Sequence, residues 1–496
     1  MWETEISTSL YGAAQLRDLD RLAIETHGIA SAELMTRAGT AAFLALRSRF
    51  PRARRLVVVC GSGNNGGDGY VVARLAKQAG LEPRIATLGA SARMSAETAA
   101  MRASCEAMGL TPRPFESSQL KDADLIVDAL LGIGLERPVQ GEWRTAIDAM
   151  NASSLPIVAI DIPSGLQADT GAVMGAAVRA DLTMSFIGLK IGLFTGAGSE
   201  HAGEILLDDL GVPASAYKNI PASARRISEA DMREIAPRRA RDAHKGLFGH
   251  VLVVGGGTGM PGAARLCGEA AARTGAGLVT LATRAAITGC AAPELLAHTV
   301  QSATQLKPLF KHATVVACGP GLSQDNWARG MFRAVLAATL PLVIDADALN
   351  LLAAKPTRRD DWILTPHPGE AARLLRTTTA KIQQNRVDAV RRLAKRYGGV
   401  CVLKGAGTLI ASADDDAVWL CDRGNPGMAS GGMGDVLTGV IAALRAQGLR
   451  AMDAARLGVW LHATAGDRGA LRDGEIGMCA GELIPMMRHE LNRLTP

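Results

Sequence analysis

The residues best suited to chemistry in this chain come in short glycine-rich clusters. Gly61-Ser62-Gly63-Asn64-Asn65-Gly66-Gly67-Asp68-Gly69 joins a backbone able to approach a ligand closely to the polar side chains of Asn64, Asn65 and Asp68. It lies between an apolar run and an amphipathic one, where a helix N-terminus offers partial positive charge to a phosphate. The spacing satisfies G-x-G-x-x-G, but the acid that would hold a ribose after the next strand is missing: that strand ends Thr87-Leu88-Gly89. Ordinary hydride transfer is therefore disfavoured. Two further acids follow apolar runs. Val127-Asp128 leads into Ala129-Leu130-Leu131-Gly132-Ile133-Gly134-Leu135, and Ile160-Asp161 into Ile162-Pro163-Ser164-Gly165-Leu166. In a parallel sheet such strand ends converge, so Asn65, Asp68, Asp128, Asp161 and Ser164 can share one cleft. Its oxygens suit a hard cation. A helix-cap role would account for one such aspartate, but poorly for three after three apolar runs.

The second half carries a different set. Val254-Gly255-Gly256-Gly257-Thr258-Gly259 and Ile344-Asp345-Ala346-Asp347-Ala348-Leu349-Asn350 follow strand-like runs. Thr365-Pro366-His367-Pro368-Gly369-Glu370 precedes a helix, and Lys404-Gly405-Ala406-Gly407-Thr408 links two apolar runs. Asn425-Pro426-Gly427-Met428-Ala429-Ser430-Gly431-Gly432-Met433-Gly434-Asp435 opens a helix. Successive glycine amides at a helix N-terminus make an anion hole for a transferring phosphoryl group. Asp435, just beyond, is placed to take a proton from a substrate hydroxyl. A favourable dipole charge would explain the acid, but not the glycine density. No G-x-x-x-x-G-K-[ST] occurs, which excludes a Walker-type site.

These clusters need strands to hold them and helices to cover the strands. Leu56–Cys60, 84–88, 125–127, 157–160, 182–186 and 204–207 read as strands alternating with helices such as 70–78. Around 211–234 the pattern lapses into proline, alanine, serine and charge, then restarts with strands at 250–254, 315–317, 342–344 and 400–403 and helices at 263–274 and 433–444. The expected division is a first α/β domain over 1–218, a linker over 219–229 and a second α/β domain over 230–496. A formal charge of +6 over 496 residues is too weak an excess for a nucleic-acid binder, and the most basic stretch, 225–245, also holds Glu229, Asp231, Glu234 and Asp242. Eight cysteines, among them Cys290, form no C-x-x-C. Met1-Trp2-Glu3-Thr4-Glu5 does not resemble a signal peptide, and no apolar run reaches the roughly 18 residues of a membrane span. Neither a membrane nor a nucleic-acid partner is expected, and a cytoplasmic setting is.

The first-half segments, together with Leu34-Met35-Thr36-Arg37-Ala38-Gly39 and Gly188-Leu189-Lys190, resemble the NAD(P)H-hydrate epimerase domain over about residues 10–218. The second-half segments resemble the ribokinase-like fold, specifically the NAD(P)H-hydrate dehydratase domain, over about 230–494. The resemblance implies a Rossmann-like three-layer αβα domain followed by a ribokinase-like αβα domain. For the first site it implies hydrate binding by Asn64, Asn65, Gly66, Gly67, Asp68, Gly132, Ile133, Gly134, Leu135, Glu136, Arg137, Pro138 and Asp161, and potassium held by Asn65, Asp128 and Ser164. Asp161 is its candidate acid/base, with Lys190 second. One departure is Ile133, where the family more often has threonine. For the second site the resemblance implies hydrate contacts from Ala264, Gly321, His367 and Asp435, and nucleotide contacts from Lys404, Gly405, Ala406, Gly407, Thr408 and Gly434. ADP as co-substrate, magnesium, the NADH and NADPH hydrates as substrates, and a homo-oligomeric assembly are expected with it. Two other readings stand beside this one at the level of sequence. A vitamin or sugar kinase fused to a sensor would release a phosphorylated product, where a repair enzyme releases phosphate. A first domain serving only as an interaction module could lose its polar cleft, whereas Asn65, Asp68, Asp128, Asp161 and Lys190 are all present.

Overall fold

The computed structural model describes residues 8–90, 94–285 and 292–495. Met1 to Glu5 and Cys290 lie outside them. The chain divides into two compact units, Met1–Arg225 and Arg226–Pro496.

The first unit is built on a seven-stranded parallel sheet. Across it the strands run Arg113–Pro114, Glu82–Thr87, Arg55–Cys60, Leu125–Ala129, Ile157–Ile160, Leu182–Phe186 and Glu204–Asp208. All six pairings are parallel. The central apolar runs 56–60, 125–127, 157–160 and 182–186 are buried, because helices cover both faces, while the edge strand Glu204–Asp208 is only half-buried. Succession along the chain reverses direction between Arg55–Cys60 and Leu125–Ala129. At such a switch point the loops leaving the strand ends splay apart and leave a crevice.

The second unit has a mixed sheet. In order it contains Leu296–Thr299, Leu278–Thr283, His250–Gly255, Val315–Cys318, Leu342–Ile344, Trp362–Leu364 and Val400–Leu403, all parallel, then Thr408–Ser412 and Val418–Cys421, both antiparallel. Its switch point lies between His250–Gly255 and Val315–Cys318, below the glycine turn 255–259. The stretch expected to be a linker is ordered. Ala224–Arg226 is a strand, and Ser228 caps a helix, Glu229–Ile235, whose Met232 is buried in the second unit's core.

Among the described residues, no helix is long and apolar enough to cross a membrane, and no group of three or more His, Cys, Asp or Glu side chains is placed to hold a metal by itself.

Candidate functional site

In the first unit the helix above the switch point begins earlier than the sequence suggests. It spans Asn64–Gln78, with Gly63 as N-cap, so the polar cluster is its first turn and not a loop. The glycines inside it serve packing. An added Cβ on Gly66 would stand 2.1 Å from the Gly61 carbonyl oxygen, and one on Gly69 2.6 Å from the Ala129 side chain. The Gly66 and Gly67 amides both donate to the Gly63 carbonyl. These two glycines, expected to touch the hydrate, are committed to the helix and its seat on the sheet.

That close seat aims Asn64, Asn65 and, one turn on, Asp68 into a cleft of about 870 Å³. The cleft is also lined by Gly132, Ile133, Gly134, Leu135, Glu136 and Arg137, and by Asp161 and Lys190. Pro138 is exposed and not part of the lining. Asn64 accepts a hydrogen bond from the Ser95 hydroxyl at 2.9 Å. The Asn65 side chain is buried with neither its amide nitrogen nor its oxygen partnered.

Asp161 follows the strand Ile157–Ile160 with φ of 69°, a left-handed conformation costly for a residue bearing a Cβ. Lys190, 1% exposed, ion-pairs with the Asp161 carboxylate and donates to the Ser185 hydroxyl at 2.9 Å and the Phe186 carbonyl at 3.2 Å. Burial lowers the Lys190 pKa against the pull of Asp161. Asp68 is driven well above the carboxylate range by burial and then by Asp161.

Asp128 and Ser164 sit deeper. Asp128 is fully buried and accepts from the Ser164 hydroxyl at 2.6 Å, the Ser164 amide at 2.8 Å and the Leu130 amide at 3.3 Å. Burial still pushes its pKa up to about 6. A buried carboxylate with only neutral donors and an orphaned Asn65 amide oxygen are donors of the kind that suit a singly charged cation.

In the second unit the Asn425 segment delivers Gly432 in a left-handed conformation, φ 92°, as N-cap of the helix Met433–Ala446. The residues expected there cluster around one half-buried lysine. Lys404 Nζ donates to Asp345 Oδ1 at 2.7 Å and stands 4.0 Å from the Glu370 carboxylate. Asp345 Oδ2 accepts from the Thr438 hydroxyl at 2.8 Å. An added Cβ on Gly434 would lie 3.2 Å from Lys404 Nζ and 3.3 Å from Asp345 Oδ2, so glycine lets this helix start close over the ion pair.

Asp435 is raised to about 6 by burial and then by Asp345, with Lys404 opposing. Glu370 is raised to about 7, chiefly by burial, again with Lys404 opposing. Glu370 accepts the His367 backbone amide at 2.8 Å, and His367 Nδ1 accepts the Gly369 amide at 3.0 Å. Neutral His367 therefore carries its proton on Nε2, which stands 3.5 Å from the Glu370 carboxylate.

Other expected residues are placed differently. Ala264 is fully buried behind Gly256, so it backs the glycine turn and presents no side chain to a ligand. Gly321 (φ 58°) uses its carbonyl to accept the Gly257 amide at 2.6 Å. Lys404 turns inward to Asp345, while Gly405 and Ala406 are exposed.

Arg386 escaped the sequence reading. Its guanidinium, 1% exposed, donates to the carbonyls of Leu403 at 3.2 Å, Lys404 at 3.2 Å and Gly407 at 3.4 Å. It clasps the turn from beneath, and burial lowers its pKa to about 10. Asp345 was visible in its motif but carries more than that suggested: it anchors both Lys404 and the helix of Asp435.

The folds define a two-unit α/β enzyme, one unit with a cleft lined by acids and a lysine and the other with a ribokinase-like fold. Residues 31–192 match the family described as YjeF-related protein N-terminus, and residues 251–488 the family described as NAD(P)H-hydrate dehydratase. A bifunctional NAD(P)H-hydrate repair enzyme of Coxiella burnetii is 47% identical over 98% of this chain and 100% of its own length. A ribokinase-like superfamily protein of Enterococcus faecalis aligns with 55% of this chain and 96% of its own, at 28% identity and a TM-score of 0.50. An ADP/ATP-dependent NAD(P)H-hydrate dehydratase of Bacillus subtilis, co-crystallised with ATP and Mg2+, aligns with 54% of this chain and 97% of its own, at 30% identity and a TM-score of 0.48. The chain belongs to the bifunctional NAD(P)H-hydrate repair enzymes.

Proposed function

We propose that the two units act in sequence on NADH and NADPH that have taken up water at a ring double bond. The first unit interconverts the R and S epimers at the carbon beside the ring nitrogen. The second dehydrates the S epimer at the expense of ADP, giving NAD(P)H, AMP and phosphate. The observation that carries this reading is the meeting of Asp435, the Gly431–Gly434 amides and the Lys404–Asp345 pair at one helix start.

In the second unit Asp435 takes the proton of the hydrate hydroxyl. The freed oxygen attacks the terminal phosphoryl of ADP, and AMP leaves. The glycine amides at the helix start hold the charge that develops on the transferring group. His367 donates from Nε2 to the bound hydrate. The turn 404–408 holds the AMP portion. Phosphate then departs as the ring nitrogen's lone pair pushes out the C–O bond, and loss of a proton from the neighbouring carbon restores the double bond. With no metal-binding cluster among the described residues, magnesium fits as an ion carried mainly on the nucleotide phosphates, where it would offset their charge.

In the first unit Asp161, ion-paired with Lys190, is the acid/base group. Asn65, Asp128 and Ser164 would hold potassium, which would neutralise the buried Asp128. The test is to mix purified protein, hydrated NADH and ADP and follow the return of dihydronicotinamide absorbance. Return with ADP and release of free phosphate is the expected result. A stable phosphorylated product, or ATP far outperforming ADP, would overturn the assignment.

A further inference from the structure

Epimerisation at a carbon bearing a hydroxyl and a ring nitrogen poses a requirement that one acid/base group does not meet. If the hydroxyl leaves as water, a proton must be supplied. The nitrogen lone pair then fills the broken bond as C=N+. Water returning to the other face must give up a proton to a carboxylate. Oxygen, protons and charge balance, and nothing is oxidised or reduced, but a donor and an acceptor are needed together. Asp161, paired with Lys190, supplies the acceptor.

We propose that Asp20 is the second acid/base group of the epimerase cleft, standing on a separate wall from Asp161 and handling the proton that Asp161 cannot. The inference rests on the epimerase reading above. Asp20 lies on the helix Ala13–Glu25, whose start is fixed by the Asp169 carboxylate accepting the Ala13 amide at 2.6 Å. Leu16, Leu19 and Ala23 face the core. Leu16, Arg17 and Asp20, at helical spacings of four and three, line the cleft beside Asp68 and Asp161. Asp20 is partly buried and is party to no hydrogen bond or ion pair, so it has no structural duty to explain it. The cleft wants a polar ligand on independent grounds, because the Asn65 amide that lines it is 9% exposed and unpartnered.

The charged groups around Asp20 in this lining are Arg17, Asp68, Glu136, Arg137, Asp161 and Lys190. Burial, followed by the Asp161 charge, raises Asp20 above the usual carboxylate range, which favours its protonated form. The forward reaction leaves the proton on Asp161 and the charge on Asp20, and the opposite epimer uses the exchanged roles.

The test uses the full chain without ADP and a single purified hydrate epimer, with epimers resolved by chromatography. Asp20→Asn is expected to slow epimerisation by about 100- to 10,000-fold, the usual contribution of a general acid or base. It should also abolish the fall in epimerisation rate as pH rises through the titration of Asp20. Dehydration of the accepted epimer, with ADP restored, should be unchanged. Asp20→Glu should fall between wild type and Asp20→Asn. The melting temperature of Asp20→Asn should hold or rise, since an unpaired carboxylate is removed. Epimerisation by Asp20→Asn within a few-fold of wild type would overturn the proposal. So would a drop in melting temperature with loss of dehydration, which would mean that Asp20 serves the fold. A wild-type chain that epimerises nothing would defeat the parent reading instead.

Discussion

Asp435 imposes a pH limb on dehydration that can be worked from its surroundings. Burial and the Asp345 charge bring its pKa to about 6, with Lys404 opposing. A general base acts only when ionised. One-proton titration then leaves about nine-tenths of Asp435 competent at pH 7 and about one-tenth at pH 5. Below pH 6, kcat/KM should therefore fall about tenfold per unit. Asp345→Asn removes a neighbouring like charge and should move the limb to lower pH. Lys404→Met removes the opposing cation and should move it higher. Asp435→Asn should lower the rate by about 100- to 10,000-fold and leave no limb.

Stability runs the other way. A folded-state pKa raised above its ordinary value contributes stability below that value and loses it as pH rises through about 6. The ionised carboxylate then costs the fold up to about 3 kcal/mol at neutral pH, so Asp435→Asn should melt higher than wild type at pH 7. The assay is the initial rate of absorbance return with ADP from pH 5 to 8, beside thermal melts. A flat wild-type profile, or an Asp435→Asn variant of normal rate, would refute the base assignment.

Asp161→Asn keeps a residue that tolerates the left-handed backbone and should stop epimerisation alone, so a mixed-epimer substrate is repaired part-way and one epimer accumulates on chromatography. Loss of both activities in a folded variant would mean the two sites are not independent. Arg386→Met removes the donor to the carbonyls of Leu403, Lys404 and Gly407 and should raise the KM for ADP about tenfold to a hundredfold. Epimerisation should be untouched, and an unchanged KM would show that the turn holds itself. Replacing potassium with a large organic cation should slow epimerisation and lower the first unit's thermal stability while dehydration continues, and Asn65→Leu should blunt the response to potassium. No effect of either change would remove the ion from the account.

The sheet strands were legible because continuous apolar runs between helices have one economical arrangement, a parallel sheet covered on both faces. The acids at strand ends were legible for the same reason, since strand ends meet at a switch point. The helix at Asn64 was read too short because glycine density signals a turn, whereas Gly66 and Gly69 are there to let a helix lie against Gly61 and Ala129. Ala264 is expected at the hydrate only through the family resemblance, and its burial beside Gly256 follows from a turn whose path the spacing does not encode. Arg386 and Asp20 carry no local pattern at all. An arginine in an amphipathic helix and an aspartate in another look like solvated charge until the fold brings the 403–407 carbonyls to one and the cleft to the other. Such residues are defined by long-range contact, which spacing along a chain does not encode.

The left-handed backbone at Asp161 has a consequence for how this chain can decay. Substitution by glycine would relieve conformational strain of about 1 to 3 kcal/mol while removing the side chain that pairs with Lys190. That gain is set against leaving Lys190 buried without its carboxylate. Asparagine, which tolerates the left-handed backbone and can still accept from Lys190, is the milder replacement and glycine the costlier one, and selection for the activity opposes both. Lineages that no longer need to interconvert the hydrates should drift to asparagine more readily than to glycine at 161 with their fold intact. Position 161 would then serve as a marker, readable from sequence, of whether the front half of such a chain is still at work.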